Sequence, residues 1–334
     1  MSLLAHGQRA RGDKPLVVGQ PDAPLVRRLR SAGEAASAVR MRADWDVAAA
    51  RRIRAHVRAW RPDIVHAHDA RAHALALAAL IGLRHIPLVV TRRVGFIPRG
   101  RLKYGPRVAR FIAISRAVRD ALVVGGVPEP RITVVYSGVP TPRVALPRPW
   151  RAELGWPSDA VVCGIVGAMT AEKGLNLLRD VATHLSADVR QRIRLLLLGG
   201  QAQGHAEIGG IQAFRAGFID EIHPAMAGLD TLWHPSSAEG LGTSVIDAMA
   251  LAVPPVAFAV GGLPELIEHD VSGLLVPPAD VRAFAQAVGR LVMDPTERSR
   301  LAGAGPPRAA HFGVAPMIEG TAAVYARVLG DLSV

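Results

Sequence analysis

One cysteine, three tyrosines and seven phenylalanines are spread over 334 residues. The lone thiol, Cys163, excludes an internal disulfide framework and fits a reducing compartment. It lies inside an apolar run, where packing is its plainest role. Aromatic residues make up 4% of the chain. That is too few for the stacking platforms of a nucleic-acid binder, and no nucleic-acid motif occurs. No stretch of about 18 uncharged apolar residues exists, so no membrane span is expected. Met1 to Arg11 lacks the apolar core of a signal peptide. The expected location is cytoplasmic.

Acid is scarce in one half only. Residues 1–150 carry 27 Lys/Arg against 9 Asp/Glu, a net +18. Residues 151–334 carry 13 against 19, a net −6. A basic half suggests an anionic partner such as a membrane surface or an acidic glycolipid. An Arg-rich surface without a partner is the plainer alternative.

What is present is a repeating alternation of short apolar runs and helical patterns. Leu16-Val17-Val18, Asp63 to His68, Leu88 to Thr91, Phe111 to Ile114 and Ile132 to Tyr136 read as strands. Helical spacing separates them, as in Val47, Ala50, Ile53, Val57 and Trp60. Val161 to Gly167, Ile193 to Leu198, Ala213 to Phe218, Leu232-Trp233 and Val256 to Val260 repeat the scheme. Strands alternating with helices predict an α/β chain with parallel, doubly wound sheets. Pro140, Pro142, Pro147, Pro149 and Pro157 mark a linker. The expected division is an N-terminal Rossmann-like domain over 1–145, a second over 146–312, and a C-terminal helix over 313–334. Ligands of such sheets bind at the carboxyl ends of the strands, so two domains facing each other would share a cleft.

The stretch from His234 to Ala250 is the chemical centre of the sequence. A strand end is followed by a small polar turn carrying Glu239. A helix then opens at Gly242 to Ser244, with Asp247 one turn inside it. A helix N-terminus preceded by glycine offers free backbone N–H groups and a positive dipole end, which suits a phosphate. Carboxylates beside it suit sugar hydroxyls. The ligand class this predicts is a nucleotide-sugar.

The same stretch resembles the donor signature of family 4 of the retaining glycosyltransferases, which have the two-domain GT-B fold. Glu239-Gly240 and Asp247-Ala248-Met249-Ala250 carry the resemblance, with Asp where the family has a second Glu. Pro254-Pro255-Val256, Gly261 to Glu265 and Gly273 to Pro278 extend it. The resemblance implies that Glu239 bonds hydroxyls of the transferred sugar and that Asp247 bonds the ribose. Gly240, Leu241, Gly242 and Thr243 would then offer N–H groups to the pyrophosphate. It places Gly167 in a donor loop and Lys173 on the leaving diphosphate, but Ala168 stands where an Arg is usual. Ser236 and Ser137 could each bond a ligand or serve plain turns. His68, Arg92 and Arg93 are candidates for the acceptor side, and solvated loop charge is the alternative for the two arginines. His66 and His68 lack a third metal ligand. Asp44-Trp45-Asp46 spells a metal-binding triplet of a different fold, but Asp46 reads as a helix cap.

The resulting expectation is a retaining glycosyltransferase that needs neither metal nor cofactor. It would move a sugar from a nucleoside-diphosphate-sugar to a hydroxyl of a cell-envelope glycolipid or polysaccharide precursor. It would work in the cytoplasm, peripherally on the inner face of the membrane. A non-catalytic nucleotide- or glycan-binding relative and a nucleotide-sugar epimerase are the alternatives. The resemblance sets one more expectation. Family members open with a strand and a Gly-rich turn, whereas Met1 to Gly7 reads as the following helix, so the first domain is expected to lack its first strand.

Overall fold

The structure, a computed structural model, describes residues 1–100, 103–142 and 146–331. It divides into two compact units. One holds Met1–Gly138 with Val314–Val334, and the other holds Val139–Gly313. The change of unit thus falls at Gly138 rather than at 145, and residues 143–145 lie outside the described residues.

The first unit contains β1 (Val17–Gly19), β2 (Ala36–Ala38), β3 (Val65–Ala67), β4 (Leu88–Arg92), β5 (Val108–Ala113) and β6 (Ile132–Val134). All pairings are parallel, but the sheet is split. β1 and β2 pair with each other, and β3-β4-β5-β6 form a separate four-stranded sheet. Among the described residues, the outer edges of β1 and β3 have no strand neighbour. Local sequence sets the helix starts. Asp46, Asp69 and Ser115 each accept the backbone N–H three residues on, capping the helices Val47–Trp60, Ala70–Ala79 and Arg116–Val124. Such caps contribute about 1 kcal/mol each. The last helix, Val314–Gly330, lays Val324 and Val328 against Val89 and Ile112 of the four-stranded sheet and Val135 just beyond β6.

The second unit contains β7 (Val161–Val166), β8 (Ile193–Leu198), β9 (Gln203–Ile208), β10 (Ile211–Gly217), β11 (Thr231–His234), β12 (Pro255–Phe258) and β13 (Leu274–Val276). Their order is β13-β12-β11-β7-β8-β10-β9, parallel throughout except for the β9–β10 hairpin. Parallel strands are covered on both faces, so they read as unbroken apolar runs; Leu195 to Leu198 are all buried. Trp233, Phe258 and Phe284 meet with ring centroids 5.2–6.1 Å apart, filling the core beside β11 and β12. That packing anchors the strand whose end carries the chemistry. Among the described residues, no helix is long and apolar enough to cross a membrane.

Candidate functional site

β7 and β11 are neighbours in the sheet, so the loops leaving their carboxyl ends lie side by side. The first loop runs from Gly167 and is tightened by bonds from Lys173 N–H to Thr170 C=O and from Gly174 N–H to Ala171 C=O. Gly174 adopts the left-handed conformation, φ +78°, and sits on the Pro235 carbonyl, which any Cβ would strike. A larger residue at 174 would push the two loops apart. The Ser237 N–H donates to Glu172 C=O at 2.9 Å and completes the junction.

The junction brings Lys173 onto Glu239. The Lys173 ammonium donates to Glu239 Oε1, and the same oxygen lies 2.7 Å from Nε2 of His234. Ser236 Oγ stands 3.2 Å from that imidazole nitrogen. His234 and Ser236 are buried, and the Glu239 side chain is 9% exposed. Burial alone would lift the Glu239 carboxyl, but the bonds and charge from His234 and Lys173 outweigh it and bring its pKa down to about 2. The acid is therefore ionised at any ordinary pH. An ammonium has three donors, so holding Glu239 leaves Lys173 able to bond a second anion.

Three residues beyond Glu239, Gly242 is the N-cap of the helix Thr243–Ala250. Its φ of +100° requires glycine, and the first N–H groups of a helix have no acceptor within it. Val245, Ile246, Ala248 and Met249 are buried and fix the helix in place. Asp247 accepts from His223 Nε2 at 3.2 Å. Burial raises its pKa, against the lowering influence of His223. Gly167, Lys173, Ser236, Glu239 and the residues Gly240 to Thr243 thus form one polar junction. Ala168 is exposed and supplies no cation. Sequence reasoning assigned no role to His234 or His223. The signal for His234 was a histidine closing an apolar strand five residues ahead of an acid.

The acceptor-side candidates lie in the first unit. His66, on β3, is bonded through Nδ1 to Tyr325 Oη at 2.6 Å and through Nε2 to Thr91 Oγ1 at 2.7 Å. Desolvation lowers its pKa to about 3, so it is neutral. His68 lies ring to ring with it, centroids 3.9 Å apart. Burial, then His66 and positive neighbours including Arg93, hold His68 well below the usual imidazole range. Arg92 and Arg93 differ. The Arg92 guanidinium is taken up by Val94 C=O, Phe96 C=O and Tyr104 Oη, so it clamps its own loop. Arg93 is exposed. Ser137 is buried just after β6. Asp46 caps a helix, and Asp44 pairs with Lys103 at 3.1 Å.

Known proteins match this chain. Residues 160–294 match the model of the glycosyl transferases group 1, and residues 2–143 that of glycosyltransferase family 4. A 2-deoxystreptamine N-acetyl-D-glucosaminyltransferase of Streptomyces fradiae is 30% identical over 333 residues, covering 87% of this chain and 76% of its own. A D-inositol 3-phosphate glycosyltransferase of Streptomyces griseus is 35% identical over 198 residues, 54% of this chain. The match spans 42% of that enzyme, and other inositol-phosphate relatives are spanned over 40–58% of their length. Anabaena HepE in complex with UDP-glucose superposes with a TM-score of 0.81 at 20% identity, covering 98% of this chain and 96% of that one. A Rickettsia africae glycosyltransferase gives 0.83 at 18%, covering 98% and 93%. At such identities the likeness shows the fold, two Rossmann-like domains of the GT-B class. Together with the two family matches, the Streptomyces fradiae relative settles the kinship: the chain belongs to the group 1 glycosyltransferases of family 4.

Proposed function

We propose that this protein transfers a sugar from a nucleoside-diphosphate-sugar to a hydroxyl acceptor with retention at the anomeric carbon. The observation that carries the reading is the contact of the Lys173 ammonium with the Glu239 carboxylate, three residues ahead of the helix N-cap Gly242. In this reading Glu239 receives hydroxyls of the transferred sugar. Lys173 and the N–H groups of Gly240 to Thr243 hold the diphosphate, and Asp247 meets the ribose. The bond from the anomeric carbon to the diphosphate breaks with its electrons on the phosphate, where positive charge is fixed in advance. The acceptor oxygen forms its bond on the face the diphosphate leaves, and its proton passes to the departing phosphate oxygen. No side-chain nucleophile is required; positioning and charge supply the acceleration. No metal or cofactor takes part.

Structures of Anabaena HepE hold UDP and UDP-glucose, which makes a uridine donor the first to test. His68, Arg93 and Ser137 are the acceptor-side groups of this reading. We assign the acceptor to a cell-envelope glycolipid or polysaccharide precursor on the strength of the basic first half. The test is a panel of nucleotide-sugars in thermal unfolding. A donor present at 100 times its Kd stabilises the folded state by about 2.7 kcal/mol. Donor consumption is then followed with and without acceptor. Stabilisation with no consumption points instead to a non-catalytic binder, a reading that Ala168 and the His223–Asp247 contact favour. Consumption without acceptor points to an epimerase.

A further inference from the structure

β4 ends at Arg92, and the loop after it turns its apolar side chains outward. Phe96 and Ile97 are 60% and 57% exposed, and Val94 is 42% exposed. The loop is not loose. Arg92 donates to Val94 C=O at 3.2 Å, to Phe96 C=O at 2.7 Å and to Tyr104 Oη at 2.6 Å. Pro98 is buried against Gly125, where any Cβ would strike the proline ring. The structure therefore works to hold these side chains in water, which opposes their preference for burial.

Two further exposed hydrophobics are tied to the same edge. Lys103, beyond the loop, pairs with Asp44 at 3.1 Å, and the next residue, Trp45, is 83% exposed. Val124, 69% exposed, adjoins Gly125 at the Pro98 contact. The loop itself carries charge of one sign, whereas Asp44 and Asp46 flank Trp45 and Asp120 lies one helical turn before Val124. Arg93 and Arg99 are exposed on the loop itself. No Asp or Glu stands anywhere between Asp69 and Asp120 in the sequence.

We propose that this edge is a docking surface for an anionic lipid bilayer. Phe96, Ile97 and Trp45 seat at the boundary between headgroups and acyl chains, and Arg93 and Arg99 meet lipid phosphates. Aromatic and aliphatic side chains on a cationic rim match that boundary in both polarity and charge. A protein partner fits the apolar group equally well, but the two exposed cations of the loop, Arg93 and Arg99, with no acid between them, favour a partner that is anionic everywhere, as a leaflet is. The proposal deepens the envelope-acceptor reading above, yet it is read by vesicle binding alone. A protein that binds vesicles but consumes no donor sinks only the transfer reading. One that transfers sugar but binds no vesicles sinks only this one.

The experiment sediments the full chain with vesicles of phosphatidylcholine, and with vesicles holding about 30% phosphatidylglycerol. Wild type is expected to partition at least tenfold more strongly onto the anionic vesicles. Phe96→Ser with Ile97→Ser should lose at least tenfold at every salt concentration, and Trp45→Ser should lose severalfold. Arg99→Gln should lose about fivefold at low salt and flatten the salt dependence. These positions are exposed, so unchanged unfolding midpoints will show that each variant is folded. Equal binding to neutral and anionic vesicles overturns the proposal, as does wild-type binding by the double serine variant. Self-association of wild type without vesicle binding, abolished by the double substitution, overturns it in favour of a protein contact.

Discussion

Two polar clusters lie at the carboxyl ends of parallel strands, one in each unit, and they are built on opposite principles. In the second unit Glu239 is charged and partnered, and His234 and Lys173 bring its pKa down to about 2. In the first unit His66 is neutral, with both ring nitrogens bonded to hydroxyls, and desolvation lowers its pKa to about 3. One cluster keeps fixed charge ready for a charged ligand. The other excludes charge and holds β3, β4 and the last helix together through dipoles. Preorganised charge accelerates a reaction that develops charge, whereas a neutral cluster is suited to orienting an uncharged hydroxyl. The difference is the one expected of the donor and acceptor tasks proposed above.

The sharpest way to break the contrast is to remove charge from one cluster. Lys173→Met should lower kcat about 100-fold, the usual scale for losing one preorganised stabiliser of a developing anion. It should also let the Glu239 carboxyl rise from its depressed pKa, which a carbonyl-edited infrared titration can follow. Glu239→Gln keeps size and hydrogen bonding but removes the negative charge, and it should lower turnover at least about tenfold in a folded protein. Wild-type turnover in both variants would mean that the Lys173–Glu239 contact is structural.

Acid separates the clusters next. Glu239 is depressed in the folded state, so its contribution is present above the unfolded value near 4.5 and is lost only as pH falls towards about 2. His66 is depressed too, but for a histidine that means an unfavourable charged form. The unfolded imidazole takes up a proton below about 6.5, and the folded one does so only near 3. Folded-state stability should therefore fall by about 1.4 kcal/mol per pH unit below 6.5 for each such histidine. His68, shifted in the same direction, should add to the slope. Hydrogen exchange should show the first unit opening well before the second as pH drops from 6.5 to 5. His66→Gln with His68→Gln should flatten that limb. An unchanged limb in the double variant would remove the neutral cluster from the account.

Much of this was legible in sequence, for physical reasons that differ by element. Ile193 to Leu198 announces a doubly covered strand because parallel strands bury both faces. Asp46, Asp69 and Ser115 announce helix starts because a short polar side chain is what a first turn needs. Of the β9–β10 hairpin the sequence shows β10, as Ala213 to Phe218, but not β9. β9 alternates exposed and half-buried positions, and its clearest mark is the turn pair Gly209-Gly210. Arg92 and Arg93 are indistinguishable as neighbours in a chain. Only the folded loop shows that one is consumed by carbonyls, because backbone acceptors carry no sequence signature. His234 escaped for a related reason. Its role comes from facing Glu239 across a turn, and neither composition nor spacing encodes which way an imidazole points.

The smallest expected effect tests the neutral cluster from its far side. Tyr325 lies on the helix Val314–Gly330, and its hydroxyl meets His66 Nδ1 at 2.6 Å, 259 positions away in sequence. Burial pushes the phenol pKa up to about 12, so at neutral pH it remains a hydroxyl able to donate or accept. Tyr325→Phe keeps the ring and its edge-on packing against His66, at 5.6 Å between centroids. It deletes only the oxygen. The imidazole is then left with one hydrogen-bond partner, and the cost should be about 1 kcal/mol in denaturant unfolding, with the denaturant slope unchanged. The variant should also weaken the dependence on His66, so that Tyr325→Phe and His66→Gln together cost less than the sum of the two alone. Strict additivity would show that the two side chains do not act as one unit, and the last helix would then be held by its apolar contacts, Val324 and Val328 among them.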